Sequence, residues 1–105
     1  MTGAGRGIGK AIAVSLAKAG CRVVLAARTR EQIEVVQKEI LSQGGGALAL
    51  PTDLTADEDI QRLVEEGQAK WGAADILINN AGWGKRAPVV GASLTDWDRT
   101  FRLNL

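Results

Sequence analysis

The stretch that decides the fold is Met1-Thr2-Gly3-Ala4-Gly5-Arg6-Gly7-Ile8-Gly9, a glycine-dense turn that runs directly into a helical pattern. A phosphate can approach bare backbone at such a turn, because the N–H groups at the start of a helix point at the ligand. A turn of this kind usually follows a buried strand, and only Met1 stands before Thr2 in this sequence. We therefore expect a phosphate-binding loop in a chain that lacks the strand in front of it.

Composition narrows the class of protein. The 105 residues suffice for one domain, and 13 basic against 12 acidic side chains leave a net charge of +1. This balance gives no electrostatic footprint for nucleic acid or an anionic membrane, and no stretch approaches the roughly 20 apolar residues of a membrane span. With one cysteine, Cys21, and no histidine, neither an internal disulfide nor the usual zinc site is available. We expect a cytoplasmic protein with no bound metal and a buried Cys21 thiol, whose partners include neither nucleic acid nor membranes.

Helical periodicity alternates with short apolar runs along the chain. Three runs, at residues 22–27, 47–50 and 75–78, have the pattern of strands covered on both faces. The apolar positions that recur at helical spacing are Ile8, Ile12 and Leu16, then Ile33, Val36 and Ile40, and then Ile60, Leu63, Val64 and Trp71. This alternation predicts parallel strands joined by crossover helices, hence a doubly wound α/β sheet.

Two of the helix starts carry capping boxes, in which a threonine oxygen accepts the N–H three residues on and that residue's side chain reaches back. Thr29 with Gln32 is predicted to open the second helix, and Thr55 with Glu58 the third. A fourth helix is predicted to begin at residue 93 or 95.

Four motifs follow one another in order. They are the TGxxxGxG spacing of residues 2–9, Asp53-Leu54 after the second apolar run, Asn79-Asn80-Ala81-Gly82 after the third, and Asn104 in the last predicted helix. Together they resemble the short-chain dehydrogenase/reductase family, including its 3-oxoacyl-reductase-like members, across the whole chain. The resemblance implies that residues 1–105 form part of a Rossmann-like NAD(P)-binding domain. It also implies a sheet ordered 3-2-1-4, whose missing first strand would lie between the runs at 22–27 and 75–78.

The glycine turn is the predicted pyrophosphate site. Gly3 and Gly7 let the backbone approach the cofactor, and Gly9 lets the first helix pack closely on the sheet. Gly5 and Ile8 belong to the same candidate cofactor-binding set. A turn with a purely structural role is the alternative.

Two arginines favour NADP(H) over NAD(H). A carboxylate at the end of the first apolar run would bind the adenosine ribose 2′-hydroxyl, and this chain has Ala27 followed by Arg28 instead. Arg6 adds a second guanidinium inside the glycine turn, and the two could converge on a 2′-phosphate. The family resemblance implies the same preference. The alternative is that Arg28 caps a sheet end while Arg6 is solvated.

Two further motifs acquire cofactor roles from the resemblance. Asp53 would accept a hydrogen bond from the adenine amino group, and Leu54 would lie against the ring. The segment Asn80-Ala81-Gly82 would pass beneath the cofactor, while Asn79 would hold neighbouring strands together through its side chain. The alternatives are an ordinary aspartate before a helix and a plain Asx-rich turn.

Asn104 is the one catalytic candidate. It lies seven residues after Trp97 and so on the apolar face of the last predicted helix, where an unpaired amide is costly. In the family, the matching asparagine holds a water in a proton relay to the catalytic lysine. The alternative is an ordinary polar residue near a chain end.

The chain contains no tyrosine, and tyrosine is the family's proton donor. We therefore expect a fragment, truncated at both ends, of an NADP(H)-dependent oxidoreductase that transfers hydride between nicotinamide and a small-molecule carbonyl or secondary alcohol. The resemblance implies that the full-length parent is a homodimer or homotetramer. The competing hypothesis is a non-catalytic nucleotide-binding module or a decayed gene copy.

Overall fold

The computed structural model describes residues 1–82 of the chain. Helices and strands alternate in this part as the sequence pattern predicts. The elements are α1 (Gly7–Lys18), β1 (Arg22–Ala27), α2 (Arg30–Ser42), β2 (Gly46–Pro51) and α3 (Asp57–Trp71). None of these helices is long and apolar enough to cross a membrane. The predicted fourth helix lies outside the described residues.

The two strands form a parallel ladder. Its register runs from Arg22 opposite Gly46 to Ala27 opposite Pro51. Parallel neighbours need a long crossover rather than a tight turn, and α2 supplies it between β1 and β2. The α/β class predicted from the alternation is therefore confirmed.

Helices cover both faces of this ladder. On one face Val23 and Leu25 are buried against side chains of α1 and α2. On the other face, a Cβ added to Gly67 of α3 would lie 3.6 Å from Val24 Cγ2. Because alternate residues of a strand project to opposite faces, α3 lies across the sheet from α1 and α2. This is the doubly wound arrangement expected from the sequence.

The apolar stripe predicted for α1 is only partly buried. Ile12 and Leu16 are half-buried, but Ile8 is 74% exposed, and the buried positions of the helix are Gly9 and Ala13. The prediction was wrong at Ile8 because α1 approaches its neighbours through its smallest residues, which turns the first bulky position towards solvent.

Neither predicted capping box forms. Thr29 is the N-cap of α2, but its side chain makes no capping hydrogen bond. Ala56, not Thr55, is the N-cap of α3. The Thr55 hydroxyl instead donates to Asp53 Oδ1 at 2.6 Å. The side chain that the capping box needed as an acceptor for the helix is therefore engaged in the turn before the helix.

The third apolar run, at 75–78, is not a strand within residues 1–82. It is joined to the sheet region at one backbone position, where the Thr2 N–H donates to the Ile78 carbonyl oxygen at 3.1 Å. Thr2 also bridges in parallel to Ala26 on its other side. Met1 and Thr2 therefore lie between β1 and residue 78, where the sheet order 3-2-1-4 puts the first strand. The prediction failed because a strand needs a partner along its whole length.

An apolar groove of about 400 Å³ continues from this point between β1 and segment 74–78. Val24, Leu63, Val64 and Trp71 are among the residues that line it. The apolar face predicted for α3 therefore borders the groove, and α3 has no buried residue in the described part of the chain.

Candidate functional site

The glycine turn lies over the carboxyl end of β1. The Ala4 N–H donates to the Ala26 carbonyl oxygen at 3.4 Å, next to the bridge between Thr2 and Ala26. A Cβ added to Gly5 would lie 2.9 Å from Gln32 Oε1, which brings the turn against the first turn of α2. Open α/β sheets bind their ligands at this end of the strands.

Two glycines make the turn a cradle of bare backbone. Gly3 has a φ of +64°, which side chains disfavour, and a Cβ there would lie 2.8 Å from Asn80 Nδ2. A Cβ on Gly9 would collide with the Gly3 carbonyl oxygen and would lie 2.6 Å from the same amide nitrogen. The start of α1 thus packs directly on the turn, and no side chain fits between them.

The Thr2 hydroxyl joins this turn to segment 78–81. Its oxygen accepts the backbone N–H groups of Asn80 and Ala81, each at 3.1 Å, and the hydroxyl donates to the Ile78 carbonyl oxygen at 3.4 Å. Thr2 itself is buried, and its partners are half-buried, so these bonds are partly shielded from water. Thr2 belongs to the TGxxxGxG motif, but its hydroxyl had no predicted role, because its partners are 76 to 79 residues away in the sequence.

Asn80 makes a second link to the turn through its side chain. Its Nδ2 donates to the Gly3 carbonyl oxygen at 3.2 Å. Within residues 1–82, it is thus Asn80, rather than Asn79 as predicted, whose side chain ties neighbouring segments together. Asn80 and Ala81 lie beside the turn, and Gly82 follows them on the exposed side.

The first turn of α1 is open to an anion. Arg6 is the N-cap in extended conformation and makes no capping hydrogen bond, and the first turn contains no acidic residue. Arg6, Gly7 and Ile8 are all exposed. The first N–H groups of a helix have no intrahelical partner, and the helix dipole adds positive charge there. This end of α1 therefore suits a phosphate.

Arg28 follows β1 directly and is exposed at the same end of the sheet as Arg6. The salt bridges within residues 1–82 involve Lys10, Arg30 and Arg62, and neither Arg6 nor Arg28 is neutralised by one of them. In the sequence, Arg28 rather than an acidic residue follows the last residue of β1, Ala27. The two guanidiniums thus give this edge of the site a positive charge.

Asp53 and Leu54 lie in the loop between β2 and α3. This loop is tied to the end of β1, because the Thr52 N–H donates to the Ala27 carbonyl oxygen at 2.8 Å. The Asp53 carboxylate is oriented locally, since Oδ1 accepts both the N–H and the hydroxyl of Thr55, at 2.9 and 2.6 Å. Asp53 and Leu54 are half-buried. They therefore border the same end of the sheet as the glycine turn.

Among the residues predicted from the sequence, Asn104 lies outside the described part of the chain. The other candidates are contributed by the turn before α1 and the first turn of that helix, the end of β1, the loop after β2 and segment 80–82. Within residues 1–82, no group of three histidine, cysteine or acidic side chains converges to hold a metal ion. The site offers backbone donors and guanidiniums, which are groups that bind a phosphorylated organic ligand.

Comparison with known proteins agrees with this geometry. The family model described as short chain dehydrogenase matches residues 1–105. A hydroxynaphthalene reductase-like protein of Metarhizium majus is 40% identical over 105 residues, which are 99% of this chain and 39% of that protein.

Solved structures agree over the same region. A 3-ketoacyl-ACP reductase from Sinorhizobium meliloti superposes with a TM-score of 0.96 at 40% identity, covering 100% of this chain and 42% of that one. A metagenomic short-chain oxidoreductase solved in complex with NADP gives a TM-score of 0.92 at 40% identity, covering 99% of this chain and 48% of that one. The fold is therefore the Rossmann-like fold of these enzymes, and the chain spans less than half the length of each.

Proposed function

Because the chain belongs to the short-chain dehydrogenase family, we propose that it is the cofactor-binding part of an NADP(H)-dependent oxidoreductase. The substrate proposed for the whole protein is a small-molecule carbonyl or secondary alcohol. When bound, the nicotinamide cofactor supplies or takes up hydride. The observation that carries the proposal is the side-chain-free cradle formed by Gly3 and Gly9 in front of the uncapped start of α1.

Different residues of the chain would bind different parts of the cofactor. The turn from Gly3 to Gly9 would hold the pyrophosphate on backbone N–H groups, with Ile8 exposed beside it. Asp53 would accept from the adenine amino group, and Leu54 would lie against the ring. Segment 80–82, pinned to the turn by the Thr2 hydroxyl, would run beneath the cofactor.

The preference for NADP(H) rests on charge at the end of β1. Arg6 and Arg28 are exposed there without a salt bridge in the described residues, and the residue directly after β1 is Arg28 rather than a carboxylate that would bind the ribose 2′-hydroxyl. A 2′-phosphate carries the charge and the oxygens that guanidinium groups bind best. The NADP complex of the metagenomic relative is consistent with this choice.

We propose that the 105-residue chain binds cofactor but does not turn over substrate. It has no tyrosine to protonate a carbonyl, and Asn104 alone would hold only a relay water. The parent enzyme is proposed to be a cytoplasmic homodimer or homotetramer that supplies the tyrosine from residues beyond this chain.

Calorimetric titration of the purified chain with NADPH and with NADH tests this function. We expect NADPH to bind more tightly than NADH. Gly3→Val should abolish binding by filling the cradle. Gly67→Ala, a substitution in α3 beside Val24 and outside the glycine turn, should leave binding unchanged. Absence of NADPH binding would refute the proposal. Steady NADPH oxidation with a diketone would refute the proposed inactivity.

The missing tyrosine favours a second candidate, a non-catalytic nucleotide-binding module or a decayed gene copy. The nucleotides on either side of the reading frame distinguish the two. An in-frame upstream apolar strand and a downstream Tyr-x-x-x-Lys support the oxidoreductase, whereas stop codons at both ends support the module or the decayed copy.

A further inference from the structure

The loop that carries Asp53 is held from α3 by a chain of three polar contacts. The Asp53 N–H donates to Asp59 Oδ2 at 2.8 Å. Asp59 Oδ1 lies 3.2 Å from Arg62 Nη2, one helical turn further along α3. The same Arg62 nitrogen donates to the Pro51 carbonyl oxygen at 2.9 Å. Asp59 and Arg62 of α3 thus bind the backbone on both sides of Thr52.

These contacts complement the local order of the Asp53 side chain. Thr55 orients the Asp53 carboxylate relative to its own loop, through two bonds to Oδ1. The Asp53 carboxylate is thus held to Thr55, and its position in the site depends on how the loop is held to its neighbours. The Thr52 N–H bond to the Ala27 carbonyl oxygen holds the loop to β1, and the bond from the Asp53 N–H to the charged Asp59 carboxylate holds Asp53 itself to α3; bonds to charged groups are stronger than neutral ones.

We propose that Asp59, held by Arg62, is a positioning residue for adenine recognition, so that the chain distinguishes a 6-aminopurine from a 6-oxopurine through Asp53. The inference rests on the proposed function, since it concerns how that cofactor's base is recognised. Asp59 touches no part of the ligand in this scheme. It places the acceptor that the amino group needs, and a 6-oxo group would meet that acceptor as a repelling oxygen.

A purely structural role for Asp59 has a different signature. A carboxylate in the first turn of a helix stabilises the helix through its dipole, and Asp57 and Glu58 share this property with Asp59. Such a role would change the stability of the fold and the binding of all ligands alike. It would not change the ratio between two ligands that differ at one purine substituent.

The test compares NADPH with reduced nicotinamide hypoxanthine dinucleotide phosphate, in which the amino group is replaced by an oxo group. Both are titrated into the 105-residue chain. We expect the wild type to prefer NADPH about tenfold, which corresponds to the loss of one hydrogen bond to a charged group. Asp59→Ala is expected to bring the ratio of the two affinities, NADPH over the hypoxanthine analogue, close to one. Asp59→Asn keeps an acceptor for the Asp53 N–H and should retain most of the preference.

Asp57→Ala is the matched control, because it removes an exposed aspartate from the same helical turn. Its ratio should equal that of the wild type. If Asp59→Ala does not fold, Asp59→Glu takes its place, since it keeps the charge but displaces the acceptor by one methylene and should lower the ratio.

The outcomes separate this inference from the proposed function. Equal weakening of both ligands by Asp59→Ala, or an unchanged ratio in whichever of Asp59→Ala and Asp59→Glu folds, overturns the positioning role. A wild type that binds both ligands equally overturns it too, while the proposed cofactor site stands. A wild type that binds neither ligand overturns the proposed function and this inference together.

Discussion

Arg28 is exposed directly after β1, and its charge is the basis for one prediction at the scale of a single residue. Arg28→Asp should lower the ratio of NADPH to NADH affinity by tenfold or more, about 1.4 kcal/mol, because the new carboxylate repels the 2′-phosphate and accepts from the 2′-hydroxyl of NAD. Calorimetric titration of both cofactors measures the ratio. In the full-length oxidoreductase proposed above, the ratio of kcat/KM values should move the same way.

Arg30→Asp provides the control for this charge reversal. Arg30 is two residues further along and lies 3.6 Å from Glu34 in a surface ion pair. The same change of charge at this position should leave the cofactor ratio within a factor of two or so of the wild type. An unchanged ratio in Arg28→Asp would remove the cofactor argument.

A second prediction at the residue scale concerns the Thr2 hydroxyl. Thr2→Val keeps the shape of the side chain but leaves the N–H groups of Asn80 and Ala81 without their acceptor. The cost should be about 1 kcal/mol, at the lower end of the range for unpaired groups, because these N–H groups are only partly buried. Amide hydrogen exchange at these two positions should accelerate, and Thr2→Ser should restore protection. Equal protection in Thr2→Val and wild type would contradict the assignment.

At the scale of elements, two helices should respond oppositely to the same substitution. Gly9→Ala puts a methyl group against the Gly3 carbonyl oxygen at the start of α1, and we expect a loss of about 1–3 kcal/mol in the free energy of unfolding. Gly67→Ala in α3 puts its methyl group at ordinary contact distance from Val24, and we expect a gain of about 0.5–1 kcal/mol. Urea denaturation measures both, and two shifts of the same sign would contradict this packing.

Some of the helices and strands were predictable from the sequence, and others were not. The apolar run at 22–27 has the bounds of β1, and Ile8, Ile12 and Leu16 fall within α1, because both patterns are local signals. The run at 75–78 is equally apolar, yet it forms a strand only if an adjacent strand pairs with it, and its own composition does not show whether such a partner is present. The capping boxes failed for a similar reason, since Thr55 found a nearer acceptor in Asp53.

The same distinction applies to the candidate site. Motif order located the glycine turn and the loop after β2, because these depend on residues close in sequence. The links between them were not predictable, since the Thr2 hydroxyl and the Asp59–Arg62 pair act across the sheet or between a helix and a loop. Only the folded chain brings those groups within bonding distance.

At the scale of the whole molecule, the groove between β1 and segment 74–78 predicts how the chain responds to an added strand. The Met1 amino group donates to the Val24 carbonyl oxygen at 2.8 Å, and burial lowers the pKa of this group. Placing Val-Ala-Val-Val-Val before Met1 replaces the amine by a peptide N–H and lets apolar side chains enter the groove. The free energy of unfolding should rise by about 3 kcal/mol, the burial of two aliphatic side chains.

A Gly-Ser-Gly-Ser-Gly extension of equal length is the control for this experiment. It removes the terminal amine in the same way but carries no apolar side chain to bury and little strand propensity. Urea unfolding of the two extended chains measures the difference between them. Coincident midpoints would show that the groove does not accept a strand.

The contacts of the Thr2 hydroxyl also bear on the order in which the protein is made. Its partners lie 76 to 79 residues later in the chain, so Thr2 leaves the ribosome well before they do. At translation rates of about 5–20 residues per second, the interval is roughly 4–16 seconds. The glycine turn is thus closed by partners that are synthesised well after it. Cofactor capture is consequently a late event, which can stabilise the finished fold but cannot guide its first steps.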